Sequence, residues 1–430
     1  MLERLREELQ AETELETCAV AFTRAGGDRL LVSGYELAPE AAYGARTHAS
    51  AELKPEYLLE VANRARREKR GCVFAHSHPM DDKQPRFSHV DDRGERRLAT
   101  FLAARVPGEH CAVVVSPGGV RARRLGKDNE IEVVEVGRRL RLESRPGDAA
   151  IDEQRFDRQI RAFGADGQRR VAELTVAIVG LGGTGSVTCQ QLALLGVSKF
   201  LFLDFDQIER TNLNRVVGAQ LTDIGSNKVD VAERLTLQLN PPAAVKKIVG
   251  DVADDGVARQ LLSADVIFLC TDSHASRAIV GQLAYQYLIP TIDMGVSLSV
   301  RGGVLSYITG RSQLLAPGLP CLTCLELLNS ETIRRELLTP EARAADPYIV
   351  GAHEPQPAVI SLNSMMASLA VTMFLGLVTD APVAARNQIY DGMNGTVKNF
   401  TGNTDPACYV CSTTGALARG DSWPLPTRKE

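Results

Sequence analysis

The chain has 430 residues, length for two or three domains on the usual scale of roughly 100–200 residues each. Charged residues make up 24% and the hydrophobic set 44%, which excludes a disordered chain, a collagen-like repeat and a small disulfide scaffold. Forty-nine basic against 53 acidic side chains leave a net charge of -4, a balance that points to neither a nucleic-acid nor a membrane partner. The nine cysteines are the compositional oddity. With no signal peptide read at the start, they suggest a reducing compartment, the cytoplasm, where cysteines serve metals, cores or catalysis.

In chain order, the pattern predicts an amphipathic helix (LERLREELQAE), a strand from Glu16 to Thr23, and a second strand after a Gly26-Gly27 turn. Pro55 opens a helix that ends in the basic run RARREKR, a solvated C-terminus that suits the macrodipole. The strand GCVFAH leads into a His-rich loop and another helix, and CAVVVSP, VRARRL and IEVVEVG close a first domain over 1–142. A polar linker, 143–152, carries a Pro-Gly pair. Beyond it TVAIVG, KFLFLD, VKKIVG and VIFLC alternate with helical segments, as in a parallel doubly wound α/β sheet, giving a second domain over 153–415 and a tail over 416–430. Val359 to Val378 is uncharged and long enough to span a bilayer. Its polar residues Ser361, Asn363, Ser364, Ser368 and Thr372, with no flanking basic cluster, favour a buried core helix.

The first half carries a metal pattern. His76 and His78, two residues apart, can turn to one ion, and Asp91 can add an oxygen ligand. Three protein ligands leave a fourth position open, the catalytic arrangement for zinc. Ser88-x-x-Asp91 also reads as a capping-box helix start, which would fix Asp91 in place. HSHP…SxxD with the upstream ETC strand resembles the JAMM motif of MPN-domain metalloproteases, an α+β fold, which cleave peptide or isopeptide bonds after the C-terminus of ubiquitin-like proteins. The resemblance implies that His76, His78 and Asp91 hold zinc, that Glu16 is the base activating water, and that Ser88 steadies the oxyanion. Nine residues separate His78 from Ser88, where the usual pattern has seven. Glu14 is the fallback base, because on a strand it would share a face with Glu16.

The second half carries a nucleotide pattern. Gly180, Gly182, Gly183 and Gly185 follow a strand and open a helix, so backbone amides can approach a phosphate. Asp204 ends the next strand, where an acid can bind ribose hydroxyls. That much fits an NAD-dependent dehydrogenase equally well. Asp206, Asn212, Arg215, Lys228, Asp272 and Arg277 fit a cleaved triphosphate better, since cations stabilise departing pyrophosphate and a carboxylate can organise Mg2+. RFDRQIRAFGADGQ…GLGGTGS…DFDQIERTNLNR…CTDS is similar to the ThiF and ubiquitin-activating adenylyltransferases. The resemblance covers roughly 154–412 and implies that Asp204, Arg215, Lys228 and Asp272 handle ATP. It also implies that Arg158 reaches across a homodimer, and that a C-terminal Gly carboxylate is joined to AMP.

Cys321-x-x-Cys324 and Cys408-x-x-Cys411 form two knuckles, the spacing of a structural tetrahedral zinc site. Cys18, Cys72, Cys111, Cys189 and Cys270 read as core residues. Relatives that use a thioester keep a cysteine between the first knuckle and the last helix. Leu325 to Pro357 contains none, so the expectation is direct transfer to a partner's nucleophile or to a hydroxyl such as Thr339. The expected protein is therefore a bifunctional enzyme acting on a ubiquitin-like protein with a C-terminal glycine, in a bacterial-type conjugation pathway with a conjugating-enzyme-like partner. The alternatives are processing and activation of a sulfur-carrier protein, and an adenylyltransferase whose MPN half only docks the carrier.

Overall fold

The computed structural model describes residues 1–80, 83–143, 150–339 and 357–428. Two compact units emerge: Met1–Glu135 with Arg141–Pro146 and Ala418–Ser422, and Val136–Leu140 with Gly147–Leu417 and Trp423–Glu430.

The first unit contains α1 (Leu2–Gln10), β1 (Cys18–Gly26), β2 (Arg29–Leu37), β3 (Tyr43–Arg46), β4 (Ala51–Leu53), α2 (Pro55–Glu68), β5 (Gly71–Ser77), α3 (His89–Ala103), β6 (Cys111–Ser116), β7 (Gly119–Arg124) and β8 (Glu130–Ile131). Its sheet runs β2-β1-β5-β6-β7-β8, with β5 and β6 parallel. Period-two alternation sorts the β5 side chains between two layers. Cys72 and Phe74 pack with Val61, Ala62 and Ala65 of α2 and Leu102 of α3, whereas Ala75 packs with Leu2, Leu5 and Leu9 of α1. Each leucine fully buried in this way contributes roughly 1.5–3 kcal/mol. His76 shares the parity of Phe74 and so faces the α3 layer. Pro55 stands in the first turn of α2, where its missing N–H costs nothing, and left-handed Lys69 (φ 53°) ends that helix. The expected IEVVEVG strand splits into β8 and β9 (Val134–Val136), the latter pairing with β10 (Leu140–Leu142).

The second unit contains α4 (Asp157–Glu173), β11 (Thr175–Val179), α5 (Gly183–Leu195), β12 (Lys199–Leu203), α6 (Lys228–Leu239), β13 (Ala244–Ile248), α7 (Asp255–Ala258), β14 (Val266–Leu269), α8 (His274–Gln286), β15 (Thr291–Arg301), β16 (Val304–Leu315), α9 (Ser330–Glu336), α10 (Ile360–Val378), β17 (Asn387–Asp391) and β18 (Thr396–Asn399). Its sheet runs β13-β12-β11-β14-β15-β16-β17-β18; β13 to β15 are parallel and β16 to β18 are antiparallel. From β11 the chain moves outward to β12 and β13, then returns to β14 on the other side. The carboxyl ends of β11 and β14 therefore flank a topological switch point, the usual ligand crevice of an open α/β sheet. The sequence reading missed the long β15–β16 hairpin. Its turn is a Gly302-Gly303 pair with φ of 57° and 77°, the backbone a tight hairpin demands.

Helix α10 is apolar and long enough to cross a membrane by length and composition. It packs on α5, β15 and β16. Met366, Ala370, Met373, Phe374 and Leu377 are buried, while Ser361, Ser368 and Thr372 are exposed, so burial is on one face rather than all round.

Two segments divide differently from the expected 1–142, 153–415 and 416–430. Val136–Leu140 joins the second unit, where Arg386 Nε donates to the Arg138 carbonyl at 2.7 Å. The expected tail is bonded chain. Gly27 N–H donates to Asp421 at 3.0 Å in the first unit, and Arg428 pairs with Asp251 at 2.8 Å and Asp254 at 2.6 Å in the second. Most of the expected linker, residues 144–149, lies outside the described residues.

Candidate functional site

The antiparallel register of β1 and β5 sets Cys18 opposite His76, and Ser77 N–H donates to the Thr17 carbonyl at 3.0 Å. Carried one pair further, this brings Glu16 opposite His78. Helix α3 begins beside them. Its N-cap is Ser88, whose Oγ accepts from Asp91 N–H at 3.2 Å, while Ser88 N–H donates to Asp91 Oδ2 at 2.6 Å. The capping box thus aims the Asp91 carboxylate. His76 Nε2 lies 3.2 Å from His78 Nε2 and 3.2 Å from Asp91 Oδ1, and His78 Nε2 lies 3.5 Å from Asp91 Oδ2. Ligands bonded to one tetrahedral zinc at 2.0–2.1 Å stand about 3.3 Å apart, so the three fit such an ion. Glu16 Oε1 is 3.7 Å from His78 Nε2.

Electrostatics separate the two carboxylates. Burial pushes the Glu16 carboxyl up, against the pull of His76 and His78. Burial alone would also raise Asp91, but hydrogen bonds from His76 and His78 outweigh it and hold that carboxyl well below the usual range. Glu14 does not share the face of Glu16. β1 begins at Cys18 rather than Glu16, and outside the strand Glu14 is exposed while Glu16 is buried.

Sequence reasoning missed the supports. Glu16 N–H donates to the Thr47 carbonyl at 2.8 Å, and Arg46 Nε donates to the Glu16 carbonyl at 2.7 Å. Arg46 stacks 4.7 Å above the Tyr43 ring. Under α3, buried Arg123 pairs with Glu95 at 2.9 Å and Asp92 at 2.8 Å and lies 3.9 Å over the Phe87 ring. No local pattern announces the bonds of Arg46 to Glu16 or of Arg123 to Glu95 and Asp92; each joins residues about 30 positions apart.

At the second unit's crevice, Gly180 bonds Leu203 at the start of the glycine loop and has φ of 86°, left-handed backbone. A side chain on Gly185 would strike the Gly180 carbonyl oxygen, whereas Gly182 faces open space. Asp204 is buried and accepts from Leu181 N–H at 2.6 Å and Asp206 N–H at 2.8 Å, so it braces the loop. Burial pushes its carboxyl up, and Lys228 opposes that. Lys228 pairs with Asp206 at 2.6 Å. Asn212 is buried, its side-chain oxygen taking Glu209 N–H at 3.1 Å. Arg215 Nη1 donates to the Thr211 carbonyl at 2.6 Å. Asp272 is exposed just beyond β14, and Arg158 is exposed on α4.

The sulfurs of Cys321 and Cys408 are 3.6 Å apart, those of Cys324 and Cys411 3.5 Å, and all four lie within 4.8 Å of one another. Bonds of about 2.3 Å to one tetrahedral zinc imply sulfur separations of about 3.8 Å. Backbone N–H groups of Cys324, Asp405 and Val410 point at three of the sulfurs, each at 3.4 Å. Cys18, Cys72, Cys111 and Cys189 are buried, and burial pushes Cys111 up to about 11 and the other three up to about 12. Cys270 is partly exposed.

The sequence model of the ThiF family matches residues 156–410. The chain belongs to the ThiF family. A model of prokaryotic homologs of the JAB domain matches residues 1–130, so a JAB-like domain precedes the ThiF domain. The chain is similar to molybdopterin-synthase adenylyltransferase of Escherichia coli (strain K12), 28% identical over 259 residues, covering 60% of this chain and 95% of that protein. It is similar to the SAMP-activating enzyme E1 of Haloferax volcanii, 26% identical over 273 residues, covering 62% and 92%. Among solved structures, Escherichia coli MccB with AMPCPP and MccA has a TM-score of 0.48 and 22% identity, covering 61% of this chain and 75% of that one.

Proposed function

We propose that this chain is a bifunctional, cytoplasmic enzyme acting on a small carrier protein that ends in glycine. The JAB-like domain cuts after that glycine and the ThiF domain adenylates it. The convergence of His76, His78 and Asp91 within 4.8 Å, with buried Glu16 beside them, is the observation that carries the first activity. The ThiF membership and the glycine loop at the switch point support the second.

In the JAB-like domain, His76, His78 and Asp91 would hold a zinc ion, which would supply Lewis acidity. Glu16, buried beside His78, takes the proton of the attacking water, and the Ser88 hydroxyl donates to the developing oxyanion. In the ThiF domain the carrier's carboxylate attacks the α-phosphate of ATP, and pyrophosphate leaves. Arg215 and Lys228 neutralise the departing charge, and Asp272 would hold Mg2+. Arg158 serves the partner's site in a homodimer. The four cysteines hold a structural zinc.

The relatives named molybdopterin-synthase adenylyltransferase and Sulfur carrier protein ThiS adenylyltransferase favour a second reading, in which the carrier is a sulfur carrier. Carrier-dependent ATP–pyrophosphate exchange tests the activating role. Asp272→Ala should abolish exchange with the fold intact; unchanged exchange would show that this carboxylate is misassigned.

A further inference from the structure

Asn363, in the first turn of α10, is 4% exposed, and its Nδ2 has no hydrogen-bond partner among the described residues. An orphaned buried amide is destabilising unless something accepts from it. The amide abuts the glycine loop. A side chain on Gly183 would overlap Asn363 Nδ2, would come within 2.9 Å of its Cγ, and would lie 3.5 Å from Arg215 Cδ. On this side Gly183 meets a neutral donor and the aliphatic stem of Arg215, at the start of α5, whose first N–H groups have no side-chain cap among the described residues and suit an anion.

We infer that the Asn363 side-chain amide donates a hydrogen bond to a non-bridging oxygen of the α-phosphate of bound ATP and of the carrier adenylate. The inference rests on the adenylation reading. On the adenylation reading Asp204, which accepts from Leu181 N–H, takes the ribose end of the loop. Gly183 is two residues further, at most about 7 Å of extended chain, which is the reach of the first phosphate after the ribose. During transfer a carboxylate oxygen–phosphorus bond forms and the bond from that phosphorus to the β-phosphate oxygen breaks. The electron pair leaves with pyrophosphate. The Asn363 N–H meets the negative charge that stays on the α-phosphate oxygens, without giving up its proton.

The test is calorimetric titration of the full chain with Mg-ATP, AMP and adenosine. A hydrogen bond to a charged group corresponds to roughly 10- to 100-fold in affinity. Asn363→Ala should weaken ATP and AMP by about 10-fold, and Asn363→Asp, which faces the phosphate with a charge, by about 100-fold or more. Adenosine, which has no phosphate, should change by less than about a factor of two. Should Asn363→Asp fail to fold, Asn363→Ala carries the comparison. Equal losses for adenosine would show that Asn363 only packs, and undiminished ATP and AMP binding would overturn the inference directly. Failure of the unmodified chain to bind ATP at all would instead remove the adenylation reading, and this inference with it.

Discussion

Ser88 is given two tasks, and they separate by substitution. Among the described residues its Oγ accepts from Asp91 N–H, at 3.2 Å, a long bond. Replacing such an N-cap by alanine costs 0.5–2 kcal/mol, and the length of this bond argues for about 1 kcal/mol, whereas glycine costs only a few tenths. Neither change touches the 2.6 Å bond from Ser88 N–H to Asp91 Oδ2, because that donor is backbone. Asp91 should therefore stay aimed at the metal in both variants. The hydroxyl's proposed bond to the oxyanion is a different quantity: losing one such donor lowers kcat roughly 100- to 1000-fold. Cleavage of a carrier extended beyond its glycine by a fluorogenic group measures kcat, and hydrogen exchange of the α3 amides measures the cap. Ser88→Ala should lose both; Ser88→Gly should lose the rate and keep nearly all the stability. A Ser88→Gly enzyme that binds zinc and cleaves at close to the unmodified rate would leave Ser88 as a helix cap alone.

Glu16→Gln should abolish cleavage while the JAB-like domain keeps its zinc, measured by elemental analysis; joint loss of metal and activity would make Glu16 a ligand rather than a base. Cys408→Ser should lower zinc content by one ion per chain and destabilise the ThiF domain by several kcal/mol, since structural zinc contributes folding energy; an unchanged zinc content would refute the four-cysteine site. No thioester with the carrier should form, because burial raises the thiols of Cys18, Cys72, Cys111, Cys189 and Cys270 and weakens them as nucleophiles. A hydroxylamine-sensitive adduct lost on mutating one cysteine would contradict this.

The sites were legible where chemistry is crowded into short spacing. His76-x-His78 leaves a strand with both rings on one face, and Ser88-x-x-Asp91 is a cap that also aims a ligand, so four of the five residues could be read locally. Glu16 could not. It reaches the site only through β1–β5 pairing, and the choice over Glu14 depends on where β1 begins. The parallel strands were legible as short apolar runs, whereas the β15–β16 hairpin was not, although its Gly302-Gly303 turn was a usable signal. Its outer half exposes Val304, Leu305 and Tyr307, so the apolar residues there do not mark a core. Asn363 meets Gly183 across 180 positions, a contact of α10 on α5 that no local pattern encodes.

The central claim is that one chain both exposes a carrier's C-terminal glycine and activates it. Mass spectrometry of an extended carrier incubated with the enzyme, zinc, Mg2+ and ATP tests it most directly. The trimmed carrier joined to AMP should accumulate with the unmodified enzyme. With Glu16→Gln it should appear only when trimmed carrier is supplied. An adenylate forming equally well from extended carrier in Glu16→Gln, or none forming from trimmed carrier, would contradict the account.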